Sequence, residues 1–79
     1  MDYYLEVSYE IPKGIFYRDK EIVKKAKEEY RYSTCSFGWR NLIFVFDDSK
    51  ERNDCFDRLK DLKQVCISIY EKSLFLFKK

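Results

Sequence analysis

Two hydrophobic periods alternate along this chain, and their order leaves few architectures open. Residues 3–11 alternate, with Tyr3, Leu5, Val7, Tyr9 and Ile11 set against Tyr4, Glu6, Ser8 and Glu10. A two-residue period with one polar side marks a half-buried strand, and Pro12-Lys13-Gly14 ends it. The period then changes. Ile22, Val23, Ala26 and Tyr30 share one helical face while Lys20, Lys24, Lys25, Lys27 and Glu28 take the other. The spacing predicts a helix capped by Asp19 and running to about Tyr30, with Glu21 four residues before Lys25.

A second strand is expected over residues 32–39, with Cys35, Phe37 and Trp39 on one side and a turn at Gly38-Trp39-Arg40-Asn41. Residues 42–46, Leu-Ile-Phe-Val-Phe, form the most apolar strand, hydrophobic on both faces. Asp48 with Glu51 resembles a capping box and opens a helix over residues 49–63, with Cys55, Phe56, Leu59 and Leu62 on its apolar face. Residues 65–70 alternate again, with Val65, Ile67 and Ile69 inward. Residues 74–77 offer a fifth strand or the end of one long bent strand. The resulting βαββαβ order, with an optional C-terminal strand, is that of the ferredoxin-like α/β plait: an antiparallel sheet with two helices on one face. Its topology makes the first and third strands the central pair. The expected core includes Leu5, Val7, Tyr9, Ile22, Ala26, Phe56, Leu59, Ile67 and Ile69.

With 79 residues and no linker-like stretch, the chain reads as one domain. Seven Phe, seven Tyr and one Trp supply a dense core, and only two Gly and one Pro interrupt it. Sixteen Lys and Arg stand against 14 Asp and Glu, spread evenly, so the sequence lacks the basic cluster usual in nucleic-acid binders. Three widely spaced cysteines and no His fit neither a disulfide framework nor a zinc site, and point to reduced thiols in a cytoplasm, that of a host cell included. The start reads as no signal peptide, and no apolar run reaches the roughly 20 residues that span a bilayer, so no membrane role is expected.

Without His, the triads built on it cannot form within one chain. No Gly-rich phosphate loop is present. Asp47-Asp48 is the best carboxylate pair, and it reads first as a helix cap beside a solvated neighbour. No cofactor and no metal are expected, and the chain reads as a non-enzyme.

Gly14-Ile15-Phe16-Tyr17-Arg18 resembles the Gly-x-x-Phe-Arg loop of acylphosphatases, and Gly38-Trp39-Arg40-Asn41 resembles their Gly-Trp-x-x-Asn stretch. The likeness covers about ten residues in two pieces. It implies a phosphoryl-binding Arg18 and a water-orienting Asn41. A second alternative is an RRM-like nucleic-acid binder, stacking bases on Tyr4, Phe44 and Phe46, with Glu6 and Glu10 opposing phosphate on that face.

The reading preferred here is a small protein-binding module. If Ile43 and Val45 are the buried set, then Leu42, Phe44 and Phe46 form an exposed apolar stripe of the kind that marks partner surfaces. Asp54, Asp57 and Asp61 fall on one helix face and are the acidic candidates for mimicking phosphate. In small size, charge-rich surface and lack of catalytic groups the chain resembles anti-CRISPR and similar counter-defence proteins encoded by phages and mobile elements. That is a likeness of gross features, not of a motif. It implies an inhibitor of a larger nucleoprotein complex acting by surface complementarity. A homodimer and sheet-edge pairing are compatible with the same features.

Overall fold

The computed structural model describes residues 1–72. Its elements are β1 (Asp2–Glu10), α1 (Asp19–Ala26), β2 (Tyr32–Ser36), β3 (Trp39–Phe46), α2 (Ser49–Leu59) and β4 (Cys66–Lys72). The four strands form one antiparallel sheet in the order β2-β3-β1-β4, a ferredoxin-like α/β plait with β1 and β3 at its centre. The fifth strand expected over residues 74–77 lies outside the described residues.

Register decides which side of each strand is covered. Leu5 lies opposite Phe44 and Val7 opposite Leu42. Residues directly opposite in an antiparallel pair share a face, so the apolar parity of β1 takes the even positions of β3 with it. Leu5, Val7, Tyr9, Leu42, Phe44 and Phe46 therefore form one buried layer, closed by Ile22 and Ala26 of α1 and Cys55 and Leu59 of α2. This corrects the expectation that Leu42, Phe44 and Phe46 face outward. Ile43 and Val45 are the residues on the uncovered face, where they are half-buried. A strand apolar on both faces carries no parity of its own; its neighbour supplies it.

Other expectations shift at the boundaries. The hairpin turn is Phe37-Gly38, closed by the pair Ser36–Trp39, so Trp39, Arg40 and Asn41 belong to β3. Both turn residues have positive φ, 52° and 80°, the combination that suits the twist of a two-residue hairpin. Helix α1 stops at Ala26, where Lys27 adopts a left-handed conformation (φ 57°) and donates its N–H to the Val23 carbonyl. Asp19 is its first helical residue and not its cap; Arg18 holds the cap position without a side-chain bond. Asp48 does cap α2, accepting the Lys50 N–H at 3.0 Å. Helix α2 ends at Leu59, four residues early, so Asp61 lies in the turn beyond it.

The expected core holds at Leu5, Val7, Tyr9, Ile22, Ala26 and Leu59. Phe56 and Ile67 pack against it partly buried. Ile69 is 45% exposed. It sits on edge strand β4, whereas α2 lies over β1 and β3. Among the described residues no helix is long and apolar enough to cross a membrane.

Candidate docking surface

Two arginines that the residue pattern does not single out organise the covered face. Arg40 follows the buried parity of β3, and its guanidinium binds the Asp19 carboxylate through Nη2 at 2.8 Å and Nε at 3.2 Å. Tyr9 donates its hydroxyl to the same carboxylate and accepts the Arg18 N–H at 3.4 Å. Burial, followed by that bond to Asp19, pushes the Tyr9 phenol up to about 12. The ring of Phe16 lies against the Arg40 guanidinium, 3.9 Å from its centroid. Arg52 is buried at the α2–β4 seam, reaching the Tyr70 carbonyl and Glu71, each at 3.3 Å. The spacing of Arg52, Cys55 and Leu59, one apolar face of α2, was the available signal for it.

The Arg40–Asp19–Tyr9 cluster fixes the loop between β1 and α1 against the hairpin end of the sheet. The Ile11 N–H donates to the Gly38 carbonyl at 2.8 Å. Tyr17 packs edge-on to Tyr9, with centroids 5.6 Å apart, and its hydroxyl meets the Glu10 carbonyl at 3.5 Å. This end therefore gathers exposed apolar groups: Ile15 (60%), Phe16, Tyr17 (64%), Phe37 and Trp39. They are five of the eight large exposed hydrophobic residues among those described.

Two clefts share Pro12 and Tyr17. One, of about 260 Å³, is lined by Pro12, Lys13, Ile15 and Tyr17. The other, of about 380 Å³, runs between Tyr17 and Trp39 onto Glu10, Val65 and Cys66, where the uncovered sheet face meets the end loops. Residue pattern alone missed this surface. Its residues come from a loop and a strand terminus, where periodicity is silent.

The rest of the uncovered face is more polar. Tyr4 and Tyr70 stack with centroids 5.1 Å apart, and Lys72 lies over both rings. Glu6 accepts the Tyr70 hydroxyl at 3.3 Å. Asn41 accepts the Ser8 hydroxyl and donates to the Thr34 hydroxyl at 2.9 Å.

The residues expected to act together are dispersed. Leu42, Phe44 and Phe46 are inside, which removes the proposed apolar stripe, and Phe44 and Phe46 as base-stacking groups; Tyr4 alone of that set is on the uncovered face. Asp54 is paired with Lys50 at 3.1 Å, and Asp57 with Lys60 at 3.7 Å. Asp57 and Asp61 line a groove of about 740 Å³ between the helices together with Lys24, Lys25, Lys27 and Arg58. The acidic side chains thus sit in a mixed field, not a negative patch. Arg18 is held by Glu21 at 2.8 Å, which lowers the Glu21 carboxyl, and by the Lys63 carbonyl at 2.9 Å. Asn41 is engaged with Ser8 and Thr34, and among the described residues no hydrogen bond or cleft joins it to Arg18.

No protein-family model matches the chain, and no curated protein sequence does. Among solved structures, the chain is similar to a NIPSNAP family protein from Agrobacterium tumefaciens strain C58, with a TM-score of 0.54 over 95% of this chain and 96% of that one. At 10% identity the likeness speaks for the ferredoxin-like fold alone.

Proposed function

We propose that this chain is a non-enzymatic protein-binding module that docks through the aromatic end of its sheet. The observation that carries the reading is the concentration of exposed apolar groups at one end: Ile15, Phe16 and Tyr17 on a loop fastened by the Arg40–Asp19 ion pair, with Phe37 and Trp39 of the hairpin beside them. Exposed apolar clusters of this kind mark interaction surfaces, and Tyr and Trp are favoured at their centres. A rigid backbone under them lowers the ordering cost of binding. Inhibition of a larger complex by surface complementarity is the mode proposed. Phosphate mimicry by Asp54, Asp57 and Asp61 is not part of it, because basic side chains answer those charges. A reducing compartment such as the cytoplasm is part of the same proposal, on the three widely spaced cysteines of the sequence.

Immobilised wild-type chain, Trp39→Arg and Asp54→Asn variants should be used as parallel baits, with folding checked by circular dichroism. A partner identified by mass spectrometry should be held by wild type and Asp54→Asn and lost by Trp39→Arg. Retention by Trp39→Arg contradicts the reading. So does salt-sensitive binding of an oligonucleotide, or acyl-phosphate hydrolysis abolished by Arg18→Ala.

A further inference from the structure

The cleft between Tyr17 and Trp39 has a carboxylate in its lining. Glu10 stands directly opposite Trp39 in the β1–β3 register, so the two side chains leave the sheet side by side on its uncovered face. Tyr17 lines the same cleft, with its hydroxyl at the Glu10 carbonyl. No Lys or Arg is among the described residues that line it, and none of the ion pairs among the described residues uses Glu10. The cleft therefore offers two aromatic rings and one carboxylate to whatever enters it.

Inside the fold, the same set of groups holds arginines. Arg40 has its guanidinium against the Phe16 ring, 3.9 Å from the centroid, and bonds the Asp19 carboxylate at 2.8 Å. Arg52 lies 5.4 Å from the Tyr3 centroid and pairs with Glu71 at 3.3 Å. A guanidinium suits this company because it is flat enough to lie on a ring while its edge donates to a carboxylate. A lysine brings a compact, strongly hydrated charge that cannot do both so well.

We infer that the Tyr17–Trp39 cleft seats an arginine side chain of the protein partner, its guanidinium edge on Glu10 and its face against the Trp39 indole. The inference rests on the docking proposed above and adds the chemistry of the anchor. Charge complementarity selects the occupant: the cleft's one ionised group is negative, and its rings favour a cation that can stack. Arginine is also among the residues that most often dominate binding at interfaces. An approaching phosphate would meet the Glu10 carboxylate instead.

The probe is Nα-acetyl-arginine methylamide, titrated into the isotope-labelled chain and read at the indole N–H of Trp39, a single signal because the chain has one tryptophan. That signal should shift to saturation in the millimolar range. The corresponding citrulline derivative, of the same shape but uncharged, should bind about tenfold more weakly, and the lysine derivative about threefold more weakly. Glu10→Gln lies at an exposed position, should leave the circular dichroism unchanged, and should weaken the arginine derivative about fivefold. An indole signal that does not move, or that moves equally with the citrulline derivative, would overturn the inference. The captured partner separates the two levels. Weaker capture by Glu10→Gln as well as by Trp39→Arg supports the arginine anchor. Full capture by Glu10→Gln with loss by Trp39→Arg overturns the anchor and leaves the docking in place, and full capture by both overturns the docking and the anchor with it.

Discussion

The two faces of the sheet are built from the same strands and differ in everything that follows from one residue of offset. On the covered side, Leu5, Val7, Leu42 and Phe44 are sealed under two helices. On the other, Tyr4, Glu6, Ser8, Asn41 and Tyr70 make polar contacts in partial exposure. The covered face holds the fold. The uncovered one reaches the apolar end loops at Trp39 and Tyr17, the place proposed for docking. In a strand such as β3, apolar on both parities, the division of labour is imposed by pairing with β1 and not by the strand itself.

That division can be broken first from the covered side. Phe44→Ala should destabilise the fold by about 3–5 kcal/mol, measured as a shift of the urea midpoint with little change in slope. If Phe44 were on the outer face, the loss would stay within about 0.5 kcal/mol. Asp19→Ala removes the partner of the buried Arg40 and should cost about 3 kcal/mol, because an uncompensated guanidinium is left behind. It should also loosen the β1–α1 loop, seen as faster amide exchange over residues 12–18.

Tyr9 gives the comparison a pH signature. Its phenol is raised in the folded state from about 10 to about 12, so the folded chain holds the proton that the unfolded chain releases. Its contribution is complete below pH 10 and is lost as pH rises toward 12. Tyr9→Phe should therefore flatten the alkaline fall of stability in that window, measured by thermal melts from pH 9 to 12. Asp48→Ala should cost about 1 kcal/mol through loss of the α2 cap. Asp54→Asn, which breaks only the exposed Lys50 pair, should cost about 0.3–0.5 kcal/mol.

Element types, their order and the central strand pair were legible because β1, α1 and α2 each bury one face and their periods are clean. The parity of β3 was not, because Leu42, Ile43, Phe44, Val45 and Phe46 offer no polar marker. Asp19 looked like a cap, since helix-start aspartates usually are; a long-range bond to Arg40 outcompeted that local role. The acylphosphatase-like pattern drew attention to the β1–α1 loop through Arg18, which Glu21 and the Lys63 carbonyl hold, while the exposed apolar side chains Ile15, Phe16 and Tyr17 of the same loop carry no such pattern. The turn was displaced by two residues because Phe37 accepts a left-handed backbone that its residue type disfavours.

Trp39 is the chain's single tryptophan and lines the larger of the two clefts of the proposed surface. Its fluorescence is therefore the most direct reporter. Iodide should quench it readily in the free chain, and the captured partner should shield it and shift its emission to the blue. Equal quenching in the free and bound states, or a tryptophan already shielded in the isolated chain, would contradict docking at this end of the sheet.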